Sequence, residues 1–391
     1  MLQWSAVRFI RRFVLLFLVL YLGAWAYRIV TRKYYIWLPG YVSWLLNQKL
    51  LNQEKSGAAP VHILFFFVDH FEPGENSAMM DRWVADYPKI ADRHRDSAGR
   101  PWQHTWFYPG EQPIDRNMVA LQKLVAGGYG ETELHLHHFN DTEQSARQRF
   151  AKSIAWFQKF GFLKSADGAT HFGFIHGNWS LDNSRGNQFC GNNRELVTLR
   201  ELGCFADYTF SSIFVESQPS TVNNIFEARD DDRPKSYDHG TPLRAGVKPE
   251  GDLLIFQGPL LLVPTVSPAK LFLEVENAEI HAAVPVTPRR VDAWMRANIH
   301  VEGRPEWRFI KIHTHGATKG QDADEILGPE LDGALRYMER AYNDGGRYVL
   351  HYVTAREAFN VARAAADGKQ GDPRQYYDYL IPPYAANAGR Q

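Results

Sequence analysis

The sequence predicts an α/β fold in which seven or eight β-then-α units build a parallel sheet that closes, or nearly closes, into a barrel. Three observations carry this reading. Apolar β-type runs alternate with amphipathic helical stretches from residue 61 to residue 366. The first run, 62–68, is almost entirely β-branched, aromatic or Leu, the composition of a strand buried on both faces. Several runs then end in ionisable side chains, at the carboxyl end where the loops of such folds converge.

Composition narrows the possibilities. With 391 residues and 45% apolar content the chain is long enough for one large domain or two ordinary ones. Its 44 basic and 44 acidic residues balance, and no Lys/Arg stripe is present, which sets nucleic acid aside as a partner. The 11 Trp, 18 Tyr and 24 Phe suit a sugar-binding cleft but serve equally as core. Cys190 and Cys204 are too few for a disulfide scaffold and lack metal-type spacing.

The amino terminus divides into a basic segment, 1–12, and an apolar stretch, 13–30, read as a transmembrane anchor or a signal peptide. The uninterrupted part, 13–27, is short of a ~30 Å hydrocarbon core at ~1.5 Å per residue, and Ile29 and Val30 extend it if Arg28 snorkels. Ala24-Trp25-Ala26 has the form a signal peptidase accepts. The aromatic continuation through Tyr34, Tyr35, Trp37, Tyr41 and Trp44 favours an uncleaved, interface-seeking anchor. Basic residues are equal on both flanks and do not orient it, but export of the bulk of the chain is the expectation. Residues 31–60 read as an interfacial segment ending in a linker.

The domain expected over 61–366 runs as follows. After the first strand come a helix over 79–96, a strand over 102–108, and an amphipathic helix over 114–126 stopped by Gly127-Gly128. A strictly alternating strand over 131–138 precedes a helix over 142–160, with Asp141 as N-cap. Strands follow at 171–175, 206–210, 253–257, 308–315 and 348–353, and helices at 193–202, 289–298, 330–343 and 355–367. Residues 215–252 form a long irregular insertion, and 367–391 a polar, peripheral tail.

Three strand ends carry chemistry. Asp69, His70 and Glu72 follow the first strand. In the run from Glu131 to Asp141, residues two apart share a face, so Glu133, His135 and His137 oppose Leu134 and Leu136. Lys311, His313 and His315 likewise oppose Ile310 and Ile312. A single histidine on a strand is commonly structural, but clusters at strand ends are metal-ligand and proton-transfer types.

These residues resemble the polysaccharide deacetylases of the NodB-homology type. Phe67-Val68-Asp69-His70 is similar to that family's first motif, a strand ending in two aspartates, with His70 in the second place. Glu133-Leu-His135-Leu-His137-His138-Phe-Asn-Asp141 is similar to its second, with His137 as first ligand and Asp141 where a second His stands; a register starting at Glu131 makes His135 the ligand instead. Phe174-Ile-His176-Gly177-Asn178-Trp179 resembles the third motif without its arginine, and Ile310-Lys-Ile312-His313-Thr-His315 the last. The resemblance implies a distorted (β/α) barrel that removes acetyl groups from a cell-envelope or exopolysaccharide glycan with a divalent metal, Zn²⁺ foremost and Mn²⁺, Co²⁺ or Fe²⁺ as alternatives. It implies Asp69 as general base, His315 as general acid, His70, His135, His137 and Asp141 as candidate ligands, and Glu72, His176, Trp179 and His313 as substrate contacts. Two other readings stand beside it: a glycoside hydrolase using Asp69 with Glu72 or Glu133, and a polysaccharide-binding protein that has lost catalysis.

Overall fold

The computed structural model describes residues 2–51, 60–317 and 320–387. The elements in order are α1 (Leu2–Thr31), α2 (Leu38–Leu51), β1 (Val61–His70), α3 (Ser77–Ala91), β2 (His104–Pro109), α4 (Asp115–Ala126), β3 (Gly130–Leu136), α5 (Glu143–Gln158), β4 (Phe172–His176), α6 (Glu195–Glu201) and β5 (Cys204–Asp207). There follow β6 (Asn224–Ala228), β7 (Thr241–Pro242), β8 (Leu253–Gln257), β9 (Leu261–Pro264), β10 (Leu273–Glu276), β11 (Glu279–Ile280), α7 (Pro288–Ala297), β12 (Trp307–Thr314), α8 (Gly320–Ile326), α9 (Pro329–Ala341), β13 (Tyr348–Tyr352) and α10 (Ala355–Ala366).

One sheet of 11 strands organises the domain in the order β11-β12-β1-β2-β3-β4-β5-β8-β6-β7, with β13 paired to β1. Its pairs are parallel from β11 through β8, and β6 and β7 extend it antiparallel. The fold is therefore α/β as expected, but the closed barrel is not formed among the described residues, because the terminal strands β11 and β7 do not pair. The sheet nonetheless wraps one interior: Phe256 of β8 meets Phe66 of β1 at 5.8 Å and Phe309 of β12 at 6.0 Å between ring centroids. The irregular insertion expected at 215–252 contributes to the sheet through β6 and β7, and a hairpin of β9 and β10 follows it.

β1 is buried on both faces, as its composition requires. Leu64, Phe66 and Val68 enter the interior cluster, whereas Ile63, Phe65 and Phe67 pack against the outer layer with Trp83 and Tyr87 of α3. Helix ends follow the sequence signals: Thr142 and Thr354 close capping boxes at α5 and α10, so Thr142, not Asp141, is the N-cap.

The amino-terminal division changes. α1 runs unbroken from Leu2 through the basic residues, and Val7–Thr31 is a 25-residue helix long and apolar enough to cross a membrane. The aromatic stretch after it belongs to the domain: Tyr34, Trp37 and Tyr41 are buried in the interior cluster, and the Tyr41 hydroxyl accepts from Leu262 N at 3.1 Å. The Tyr21 hydroxyl and the Arg28 guanidinium of α1 donate to the carbonyls of Leu271 and Lys270 in the β9–β10 hairpin. Of the linker expected over 48–60, residues 48–51 instead complete α2, and 52–59 lie outside the described residues. The tail is structural as well, since Ile381 and Tyr384 are buried and Tyr384 donates to Glu133 at 2.8 Å; its last four residues, 388–391, lie outside the described ones.

The domain accordingly needs residues 34–41. Trp37→Ala is expected to destabilise the full chain by about 3–5 kcal/mol, the range for emptying a buried Trp site, read as a shift in urea midpoint in detergent. A change within half a kilocalorie, roughly the level of a surface substitution, would place Trp37 outside the folded unit.

Two enclosed groups set an acid limit. Burial holds His351 down at about 3. Burial pushes Glu357 up, but the charge and hydrogen bonds of Arg100 outweigh it and hold the carboxyl below its ordinary value. Unfolded, His351 takes up a proton near 6.5 and Glu357 near 4.5, each above its folded value. The unfolded state therefore binds more protons in acid, and stability falls as pH drops from about 6.5. Urea midpoints at pH 7 and pH 4 test this, and equal midpoints refute it.

Candidate active site

The pleat of β1 decides which of its terminal residues reach the mouth. Successive side chains alternate in face, so Asp69 follows Phe65 and Phe67 toward the helix layer while His70 follows Phe66 and Val68 inward. Asp69 has no exposed surface. Its Oδ2 accepts from His104 Nε2 at 3.0 Å and its Oδ1 from Gly316 N at 2.8 Å. His104 is stacked on Phe67 and packed between Trp83, Trp102 and Trp106. Gly316 is required there, because a Cβ would stand 2.6 Å from Asp69 Oδ2. Asp69 is thus a clamp on the turn after β12, and the general-base role expected of it is corrected on this ground.

His70 does face the mouth. Its ring lies 4.4 Å from that of His315 and 5.1 Å from that of His135, centroid to centroid. Burial, and then the neighbouring imidazoles of His315, His135, His313 and His137, hold its pKa well below the usual value, so the ring is neutral and offers a lone pair. His135, inward on β3, donates from Nδ1 to Ile175 O at 3.0 Å and presents Nε2 to Glu72 Oε1 at 2.8 Å. His137, half-buried just beyond the strand, is fixed through Nδ1 by Glu111 Oε1 at 2.7 Å, and its Nε2 stands 3.6 Å from the same Glu72 oxygen. Gly177 lets that ring approach, since a Cβ there would lie 2.4 Å from it.

Donor atoms of His70, Glu72 and His135 lie within 4.8 Å of one another. The donor chemistry fits a divalent metal. Two histidines have Nδ1 engaged by an oxygen and Nε2 turned toward one carboxylate, the outer hydrogen bond that sets the tautomer of metal-ligating imidazoles. Burial pushes the Glu72 carboxyl up, but the adjacent imidazoles, His135 foremost, outweigh it, and its pKa lies below the ordinary value. The sequence left His135 and His137 as alternatives; both rings face Glu72, His135 within the donor group and His137 at 3.6 Å from the carboxylate. Glu72 moves from the substrate contacts to the donor set.

Around these lie the remaining candidates. Trp179 has φ +51°, a left-handed backbone unusual for a bulky residue, and its ring is 5.9 Å from that of His315 and 6.3 Å from that of His70. His315 is partly buried; burial lowers its pKa, with Glu72, Glu279 and Asp69 pulling it back up. His313 lines a cavity of about 150 Å³ with Trp179, Ser211, Ser212, Phe214 and Glu279. That is below the ~300–1,000 Å³ of pockets for larger ligands, so it takes one small group of a substrate.

Two candidates fall elsewhere. The Asp141 carboxylate is taken up by His138 Nδ1 at 3.1 Å, Ser145 Oγ at 2.6 Å and Arg149 Nε at 3.0 Å, and it is not among the donors around Glu72. His176 has no exposed surface and its Nε2 faces Glu195, so it is not a substrate contact. His104 and Glu111, missed in the sequence, hold Asp69 and His137; the parity of His104 with Trp106 and Tyr108 was the only signal for the first. Cys190 and Cys204 are both buried and unpaired with each other. No protein-family model matches the chain, and no curated protein matches it significantly.

Proposed function

We propose that this chain is a membrane-anchored, metal-dependent hydrolase that removes acetyl groups from a glycan held at the membrane surface, on a distorted, deacetylase-like barrel. The observation that carries the reading is the convergence of His70, His135 and His137 on Glu72 at the carboxyl ends of β1 and β3, beside His315 and Trp179. These four side chains would hold the metal. Bound there, a Zn²⁺ or similar ion would supply Lewis acidity to a carbonyl and acidify a water.

The rest is done by the chain. Glu111 and Ile175 O fix the ring orientations of His137 and His135. Asp69 and Gly316 set the turn that carries His315. With its pKa lowered, His315 is neutral near pH 7; it takes the proton released as water attacks the acetyl carbonyl and returns it to the departing sugar nitrogen or oxygen as the C–N or C–O bond breaks. Trp179 offers its ring face to a sugar, and the small cavity behind it admits the acetyl methyl.

The membrane setting has its own support. Phe214, at the cavity, stacks on Tyr34 at 6.3 Å and lies under the Arg32 guanidinium at 5.2 Å, three residues or fewer beyond α1. Val266 and Phe272, in the hairpin tied to α1, are 94% and 45% exposed. An uncleaved α1 would therefore keep the mouth close to the bilayer.

A glycosidase is less favoured, since Asp69 and Glu133 are both enclosed, Glu133 accepting from Gly173 N at 2.6 Å. Acetate release from acetylated oligosaccharides by the full chain in detergent tests the proposal. Release should stop on chelation and return with Zn²⁺. Undiminished release from metal-free protein would remove the metal, and no release from any acetylated glycan by metal-loaded protein would leave a binding role.

A further inference from the structure

A second group of ligand-type side chains lies outside the mouth: His138 after β3, His176 at the end of β4, Cys190 in the loop before α6, and Glu195 at the start of α6. None has exposed surface, and their donor atoms lie within 4.8 Å of one another. We propose that these four residues form a closed structural zinc site, independent of the hydrolase reading.

The argument is an accounting of lone pairs. His176 Nδ1 donates to Gly177 O, which leaves Nε2 as an acceptor. That atom is buried without a hydrogen-bond partner, and it stands 3.5 Å from Glu195 Oε1, another acceptor. Two acceptors facing each other in a dry interior are costly, and a cation between them would satisfy both. The remaining donors point to the same place. His138 presents Nε2 to Glu195 Oε1 at 2.7 Å while its Nδ1 is held by Asp141. Cys190 Sγ stands 3.6 Å from Glu195 Oε2, whose other contact is the amide of Asp182 at 2.7 Å. Asp141 is itself anchored by Ser145 and Arg149, the carboxylate–histidine–metal arrangement that orients a ligand.

The set also selects the ion. Bonds of ~2.0 Å to N or O and ~2.3 Å to S put tetrahedral ligands roughly 3.3–3.7 Å apart; His176 Nε2, 3.5 Å from Glu195 Oε1, and Cys190 Sγ, 3.6 Å from Glu195 Oε2, match that spacing, whereas His138 Nε2, 2.7 Å from Oε1, must move outward by roughly half an ångström to admit the ion. A thiolate and a carboxylate neutralise a dication, and sulfur with two imidazoles favours Zn²⁺ over Mg²⁺, Ca²⁺ or Mn²⁺. Four protein ligands and no exposed surface leave no open position, as in structural rather than catalytic sites. The ion would tie β3, β4 and α6 together at the base of the loop that carries Trp179, where Asn178, Trp179, Asp182 and Asn183 all have left-handed backbone.

Cobalt substitution of the full chain in detergent tests this, because thiolate-to-cobalt charge transfer reports sulfur ligation directly. The band is expected in the wild type, in Cys204→Ser, and in Glu72→Gln/His135→Ala, which removes two of the four mouth donors; it is expected to vanish in Cys190→Ser. Elemental analysis should find one zinc retained in the Glu72→Gln/His135→Ala protein. A folded wild type that binds cobalt without the band overturns the proposal, as does a band that survives Cys190→Ser. Should Cys190→Ser fail to fold, the wild-type spectrum and the zinc content of the mouth variant still decide it. Loss of acetate release with the band intact would implicate the mouth alone.

Discussion

His315→Ala lowers turnover on an unactivated acetyl amide or ester by roughly 10²–10⁴, the usual contribution of a positioned proton-transfer group, and spares an aryl acetate, whose leaving group needs no proton. The expectation rests on placement. His315 is a partly buried ring at the mouth, 4.4 Å from His70 and 5.9 Å from Trp179, on a turn clamped through Gly316. Its loss leaves the donors around Glu72 in place, so metal content persists. Asp69→Asn, by contrast, leaves the ring in the mouth and acts through the clamp: the amide oxygen still accepts from Gly316, but His104 loses its anion. Its turnover falls less and on both substrates alike, because positioning rather than protonation is disturbed. Steady-state kinetics on the two substrate types check this. Equal losses on both for His315→Ala would take His315 out of the proton path.

Arg356→Ala destabilises the protein by about 3–5 kcal/mol, the cost of breaking a buried ion pair from one side. Arg356 is 1% exposed and donates through Nε to Glu131 at 3.0 Å; a further guanidinium nitrogen lies 2.9 Å from the same carboxylate, which also accepts from Thr354 and Asn387. Truncation leaves Glu131 charged and enclosed beneath the residues that supply His135. It also releases the tail, because Arg356 holds the carbonyls of Tyr377 and Ile381. Glu131→Gln with Arg356→Met, which removes both charges, should recover part of the loss. Chemical denaturation of the two proteins in detergent measures it, and a loss under about 1 kcal/mol, the upper end for an exposed pair, would show the site to be hydrated.

Much of the site was legible because local rules fix it. Strand periodicity put His135 with Glu133 and His313 with Lys311 on inward faces, and the carboxyl ends of β1 and β3 carry the donors. For Asp69 the same period and the family resemblance disagree: counting from Phe67 puts it on the helix side, where the structure has it enclosed. Asp141 and His176 were out of reach of any periodic rule. Their partners, His138 and Glu195, meet only when β3, β4 and α6 pack together, up to 57 residues apart in the chain.

The sequence by itself determined the α/β class, the order of most elements and the apolar helix α1, because hydrophobic period and capping act within a few residues. Tertiary structure alone decided that the sheet stays open between β11 and β7, and that Tyr34, Trp37, Tyr41 and Tyr384 belong to the core. It alone decided that Glu72 joins the histidines while Asp69 turns away, and that a second ligand set forms. These outcomes depend on burial and on which unpaired donors and acceptors are brought face to face, and no pattern along a single chain encodes that.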